Sequence, residues 1–396
     1  MSGASTAPRK ILVVGFSRLH QDARICRQIG FIKDRYLVWA AGFSDPGIPG
    51  VAYIPLPEPK PTAWRTKMTD LILLKSRQFE RYYWKRYGHL EAFLTGGCQD
   101  LIIANELESL PLAFRLAGRQ NARVLFDAHE YAPREFEDSW KWRFLYRAFR
   151  TRLCRHYLPR CVAVTTVCEG IAAEYRKNFG VACRVITNAA AYEDLAPAAA
   201  GGDKVRLVHH GIAIRQRHID VMIDVMKYLD ARYTLDLYLV PRDPGVMKML
   251  EKKIAGNPAI RLHPPLEMAT ITRALNGFDV GIDIILPTSF NNRFSLPNKF
   301  FTFVQARLAI AIGPSVEMAS LVKKHDLGVV AADFSAKKMA AALLGLNREK
   351  ISHYKYQAHG AARELSAAAN RSTLLHILSE TFSLQGQALG SPMKDA

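Results

Sequence analysis

Short apolar runs alternate with longer segments of mixed polarity along most of the chain. In the first half, Ile11–Gly15, Tyr36–Ala41, Val51–Ile54, Asp100–Ala104, Arg123–Phe126, Cys161–Val167 and Arg184–Thr187 predict strands. Most are almost continuously apolar, as parallel strands covered on both faces must be. Segments of helical character separate most of them, which predicts repeated βαβ units. The stretch Leu195–Gly202, rich in Ala, Pro and Gly, breaks the rhythm and reads as an interdomain linker. The alternation then resumes with Val205–His209, Leu235–Val240, Ile260–Leu262, Val280–Ile284, Leu308–Ile312 and Gly328–Val330. From about Ser352 to Ser383 the pattern is helical, and Leu384–Ala396 forms a polar tail.

These elements predict an α/β fold of two Rossmann-like parallel-sheet domains facing a central cleft. The boundaries are residues 1–194, a linker over 195–203, a second domain over 204–383 and a tail over 384–396. The length of 396 residues supports the division, because one hydrophobic core stops growing well before that size. Open α/β sheets bind ligands at the carboxyl ends of their strands, so those loops are where chemistry is sought.

Composition narrows the class. With 49% hydrophobic and 23% charged residues the balance is that of an ordinary globular protein. No apolar run is long enough to span a bilayer, and the stretch from Ile11 stops at Gly15, too short for a signal peptide. The expected location is the cytoplasm. Cys26, Cys98, Cys154, Cys161, Cys168 and Cys183 form no C-x-x-C pair, so buried free thiols are expected. The net charge is +18, of which 29 basic and 17 acidic side chains place +12 in residues 1–190. Such a field attracts nucleotide diphosphates, nucleic acid or acidic membrane surfaces.

Four places carry candidate chemistry. Gly15, after the first strand, permits close approach to the backbone, although no G-x-G-x-x-G fingerprint follows. Phe126-Asp127-Ala128-His129-Glu130 puts a histidine with a carboxylate to orient it at a strand end. It is no zinc H-E-x-x-H helix, because position 133 is Pro. His209-His210-Gly211 closes the first strand of the second half, and Arg215 and Arg217 follow just before a helix, a suitable diphosphate clamp. Ser295-Leu296-Pro297-Asn298-Lys299 opens another helix, with Pro where a missing N–H costs nothing and Lys299 directed from the first turn toward the cleft. Each also has a plain structural reading: a tight turn, a capping histidine, a solvated arginine pair, an exposed lysine.

Taken in order, "DLIIANELESLPLAF", "VLFDAHEY", "VTTVCEGIAAEY", "VITNAA", "HHGIAIRQRHID", "FDVGIDI" and "SLPNKFFTF" resemble the GT-B glycosyltransferases, most closely their fourth, retaining family. The resemblance runs from Ile11 to about Ser383. It implies that His129 contacts the donor sugar and that Arg217 and Lys299 grip the donor diphosphate. It places Gly15, Asn105 and Glu106 at the cleft and Asn188 in the loop leading to the linker, with Gly211, Arg215, Ser295, Pro297, Asn298 and Thr302 around the donor. Two glutamates usual in the family are replaced by Phe294 and Thr302, and a usual Ala-Gly by Ala306-Arg307. Thr302 can still hydrogen-bond a ribose hydroxyl, without a carboxylate's strength.

The implied reaction moves a sugar from a nucleoside diphosphate sugar to an acceptor hydroxyl with retention. No D-x-D motif occurs, so the cations are expected to serve without a metal or other cofactor. Trp64–Tyr87 and Trp140–Arg160 each mix seven basic residues with aromatic and apolar ones, which suits an anionic membrane interface and a lipid-linked or envelope glycan acceptor. No RNP, KH or zinc-knuckle motif accompanies the charge, so nucleic acid is not the expected partner. Two rivals remain: a nucleotide-sugar 2-epimerase, which needs acidic residues not assembled here, and a catalytically degenerate GT-B scaffold, favoured by Phe294 and Thr302.

Overall fold

A computed structural model describes residues 8–59, 64–94, 97–200, 202 and 204–388, with side chains to 383. The chain divides into two units: Met1–Ile186 with Arg371–Ala396, and Thr187–Asn370.

The first unit carries β1 (Lys10–Val14), α1 (Ala23–Ile32), β2 (Leu37–Gly42), β3 (Ala52–Pro55), α2 (Trp64–Lys75) and α3 (Phe79–Tyr87). It continues with β4 (Leu101–Asn105), α4 (Leu110–Gln120), β5 (Arg123–Ala128), α5 (Trp140–Leu145), α6 (Arg147–Tyr157), β6 (Ala163–Thr166), α7 (Glu169–Phe179) and β7 (Cys183–Val185). The second unit begins its sheet with β8 (Val205–Ala213), α8 (Ile219–Val225), β9 (Tyr233–Pro241), α9 (Pro244–Ile254), β10 (Ile260–His263), α10 (Ile271–Asn276) and β11 (Val280–Asp283). There follow α11 (Phe290–Arg293), α12 (Asn298–Gln305), β12 (Ala309–Ile312), α13 (Val316–Lys324), β13 (Gly328–Val330), α14 (Ala336–Leu344) and α15 (Arg348–Ala361). Helix α16 (Ala367–Ala388) starts in the second unit and ends in the first.

Each sheet is wholly parallel, in the orders β3-β2-β1-β4-β5-β6-β7 and β10-β9-β8-β11-β12-β13. Ile11, Val13, Leu101, Ile103 and Leu125 form one core with α1 and α16. Leu207, Leu235, Leu237, Val280, Ile282, Ala309 and Ala311 form the other. In both sheets the strand order runs outward and then restarts on the opposite side. The switch points therefore lie between β1 and β4 and between β8 and β11, where open sheets of this kind leave a crevice at the strand ends.

Three expectations are corrected. The segment read as a linker belongs to the second unit, which begins at Thr187. It is held there because Gln305 Oε1 accepts from the Glu193 N–H and Arg307 donates to the Glu193 and Leu195 carbonyls. Gly201 and Asp203 lie outside the described residues, as does the tail from 389 on. The terminal helical stretch is two helices, and from Arg371 it belongs to the first unit rather than the second. Leu374, Ile377 and Leu378 fill that core, and Arg123 donates to the Thr381 carbonyl at 2.7 Å. Finally, no disulfide joins the cysteines among the described residues, and of the six only Cys154 and Cys168 are buried while Cys98 is exposed.

Candidate functional site

In the first unit the site is built on the ends of β4 and β5. Asp127, the last-but-one residue of β5, is buried and receives a two-pronged bond from Arg24 of α1, Nε at 2.8 Å and Nη2 at 2.6 Å. Gln28 and Thr165 add donors at 3.1 and 2.6 Å. Burial alone would raise this carboxyl; the Arg24 guanidinium, His129 and the Thr165 hydroxyl hold it at about 2. Asn105 gives its amide to Gln28 Oε1 at 3.0 Å, so its own oxygen accepts from His129 Nε2 at 3.1 Å. His129 therefore carries its proton on Nε2. Burial lowers its pKa against the pull of Asp127, so the ring is neutral near pH 7.

Glu106 follows Asn105 with φ 65 and ψ 150, a conformation that side chains rarely adopt. Its carbonyl and that of Asn105 accept from the Ser109 hydroxyl, each at 2.8 Å. Burial first, then the neighbouring carboxylates of Glu108, Asp22 and Glu135, pushes the Glu106 carboxyl up to about 8. Glu106 and His129 line a cavity of about 1130 Å³ whose wall also includes Phe16, Tyr87, Phe93, Phe136 and the pair Lys85 and Arg86. Arg150 is bonded to both Glu108 and Glu135 at its floor. A space walled by aromatic rings and by charges of both signs suits an amphiphilic, hydroxyl-bearing molecule. A Cβ at Gly15 would meet Ile25 Cδ1, the far end of a core side chain, at 2.4 Å.

In the second unit the site forms at the switch between β8 and β11. Lys299, in the first turn of α12, is only 7% exposed. Its Nζ donates to Asp283 Oδ1 at 3.2 Å and lies 3.3 Å from His209 Nε2. His209 gives its Nδ1 proton to the Ile282 carbonyl at 2.9 Å, so Nε2 offers a lone pair to the ammonium. Burial, with Lys299 beside it, holds His209 well below the usual histidine range. Burial also lowers Lys299, opposed by Asp283, and Arg217 lowers it further through like charge. Lys299 is thus a buried cation shared between Asp283 and His209, not the exposed lysine of the plain structural reading.

Gly211 has φ +147, and a Cβ there would sit 3.4 Å from Lys299 Nζ, so glycine leaves that ammonium room. Arg215 and Arg217 form a 3-10 turn after β8, Arg215 exposed and Arg217 half-buried. Pro297 caps α12 in extended conformation, with Ser295 ahead of it and Asn298 as the exposed first helical residue. Lys299, Gly211 and Arg217 are brought together. Thr302 is not presented for recognition, since it is buried and its hydroxyl donates to the Asn298 carbonyl of its own helix at 3.2 Å.

Sequence reading named His209 and Asn105 but not their pairings, and gave Gln28 and Asp283 no role. Asp283 and His209 fix Lys299; Arg24, Gln28 and Asn105 fix Asp127 and His129. Asp127 and Asp283 share one signal, a carboxylate at the end of an apolar strand, where burial demands a partner. Among the described residues, Asp22, Glu106 and His129 have metal-ligand spacing, their ligand atoms within 4.8 Å of one another. Asp22 is already engaged, accepting from the Arg24 and Ile25 N–H groups and from Ser17.

No family model matches the chain, and no curated protein matches its sequence. Solved structures do match. Trehalose 6-phosphate synthase from Burkholderia multivorans is 13% identical with a TM-score of 0.69, covering 96% of this chain and 100% of its own. HepE from Anabaena, solved with UDP and glucose, is 13% identical with a TM-score of 0.67, over 94% and 99%. A TarM variant from S. aureus, solved with fondaparinux, α-GlcNAc-glycerol and UDP, is 13% identical with a TM-score of 0.57. That match covers 72% of this chain, which spans 57% of the length of TarM. The two parallel-sheet α/β units and these likenesses together give the chain the GT-B fold.

Proposed function

We propose that the chain is a retaining glycosyltransferase of the fourth GT-B family type, transferring a sugar from a nucleoside diphosphate sugar to an acceptor hydroxyl. One observation carries the reading: a buried lysine at a sheet's switch point, beside a glycine that leaves its ammonium room, with an arginine's field upon it. Fixed cations at such a place match an anionic leaving group. As the glycosidic bond breaks, its electron pair passes to the diphosphate, whose charge rises, and Lys299 and Arg217 stabilise that state more than the intact donor. Arg215, Ser295, Pro297 and Asn298 are proposed to line the donor site beside them. Neutral His129, its Nε2 proton committed to Asn105, offers Nδ1 to a sugar hydroxyl. HepE and TarM, solved with UDP, support a uridine donor as the first to try.

The aromatic and charged cavity of the first unit supports a glycan or glycolipid acceptor, lipid-linked or of the cell envelope, in polysaccharide biosynthesis at the inner face of the cytoplasmic membrane. No helix among the described residues is long and apolar enough to cross a membrane. The clamp is proposed to work without a metal.

Donor hydrolysis and transfer across a panel of nucleotide sugars test the reading. Lys299→Ala should lower turnover by roughly a hundredfold or more, with some loss of stability because it strands the buried Asp283 carboxylate, and near-normal turnover would remove the clamp. Chelation should leave the rate unchanged. Loss restored by added magnesium or manganese would overturn the metal-free clamp and point to Asp22, Glu106 and His129. Nucleotide binding with no turnover on any donor would favour the degenerate scaffold, the reading that the inward-turned Thr302 hydroxyl supports.

A further inference from the structure

Helix α2 is apolar on two sides. Its inner side seats Leu74 on the first unit and brings Thr66 and Asp70 to the cavity wall. Its outer side bears Trp64, Met68 and Ile72, spaced four apart and so aligned in one stripe, at 70%, 50% and 59% exposure. Helix α5 packs against α2, reads WKWRFL and buries none of its residues. Trp140 and Phe144, one turn apart on it, are 66% and 70% exposed, and Phe136 just before it is also exposed. Soluble surfaces scatter large apolar side chains singly; a group on two touching helices marks an interaction site.

Charge selects the occupant. Arg65, Lys67, Lys75, Arg77, Lys141, Arg143 and Arg147 are exposed on or beside the two helices. Arg65 lies over the Trp64 ring and Lys141 over Trp140. Nearby acids are mostly spent: Asp70 is buried against Lys85, Glu137 is bonded to Arg134 and Glu135 to Arg150, leaving Glu80 and Asp138 exposed. A second copy would oppose one basic face to another, and the chain carries +18. An anionic bilayer satisfies both features, with aromatic rings at headgroup depth and lysine and arginine on phosphates.

We propose that the outer faces of α2 and α5 dock this protein on an anionic phospholipid bilayer. The proposal deepens the lipid-linked acceptor reading and rests on it, because Thr66, Asp70 and Phe136 of the same segments line the acceptor cavity. A lipid-borne acceptor would then enter that cavity without leaving the interface.

The test is co-sedimentation of the full chain with vesicles of phosphatidylcholine alone or mixed with phosphatidylglycerol. Pelleting should require the anionic lipid and weaken as salt is raised. Joint replacement of Trp64, Ile72, Trp140 and Phe144 by Ser should weaken binding by at least about tenfold, with circular dichroism unchanged. Wild-type protein left in the supernatant, equal pelleting with neutral vesicles, or a variant that pellets like wild type would each overturn the proposal. So would single-stranded RNA that binds through the same four residues and displaces the vesicles. Donor hydrolysis in vesicle-free solution separates the two readings. Turnover without vesicle binding sinks the docking face alone, and vesicle binding without turnover sinks the transferase alone.

Discussion

Glu106 concentrates two stresses in one residue: a backbone conformation suited to glycine and a carboxyl crowded by other acids. Replacing it by Gly should leave the protein about 1 kcal/mol more stable than replacing it by Ala, because only Gly relieves the backbone. Chemical denaturation of the two variants checks this; Ala equal to or above Gly would refute stored strain. The carboxyl also predicts a pH dependence. Its folded pKa of about 8 lies above the usual 4.5, so the folded state binds the extra proton between those values. Its contribution is therefore full below about pH 4.5 and is lost as pH rises through 8. Between pH 5 and pH 9 the melting temperature of wild type should fall more than that of Glu106→Gln. Asp127 behaves oppositely, being held low, and its contribution disappears only as pH falls toward 2. Arg24→Ala would leave this buried carboxylate without its main partner and should cost about 3–5 kcal/mol in urea unfolding.

At the scale of elements, the turn from α12 into β12 shows how one buried side chain fastens a loop. Arg307 has φ 59, a left-handed position that glycine fills without strain. Its fully buried guanidinium donates to the carbonyls of Glu193, Leu195, Val304 and Gln305. Those bonds offset the backbone strain and fasten a segment that has no regular structure of its own. Arg307→Gly should relieve the φ strain yet destabilise the second unit by roughly 2–4 kcal/mol, since several carbonyls lose their donor. Greater proteolysis near Glu193 in this variant checks the assignment, and an unchanged cleavage pattern would contradict it.

For the whole molecule, the two cores have different dependence on chain continuity. Residues 187–370 contain all of the second core and its sheet in one uninterrupted stretch. Thr187 and Asn370, at its two ends, are tied directly, the Asn370 amide donating to the Thr187 carbonyl at 2.8 Å. A fragment of these residues should unfold in one cooperative transition, and it should retain uridine diphosphate binding if the clamp assignment holds. The first core needs Leu374, Ile377 and Leu378 from the far end of the chain, so residues 1–186 alone should not fold stably. A sharp calorimetric transition for that shorter fragment would show the returning helix to be dispensable.

Some of this was legible in the sequence and some was not. Each of the thirteen strands among the described residues overlaps a run marked in the sequence. Central strands such as β4 and β12 are buried throughout and must be apolar almost throughout, while edge strands such as β3 and β7 are partly exposed. His129, Gly211, Arg217 and Lys299 were marked by their place at strand ends and helix starts. What marks Asp283 as the partner of Lys299, or Arg24 as the partner of Asp127, is proximity across 16 and 103 positions of chain, which no local pattern encodes. The destination of the last helix was hidden for the same reason: its apolar stripe states that it must be covered, and only the folded first core supplies the cover. Sequence by itself determined which segments become strands; tertiary structure decided which charges meet, because pairing energy depends on distance in space and burial rather than on order along the chain.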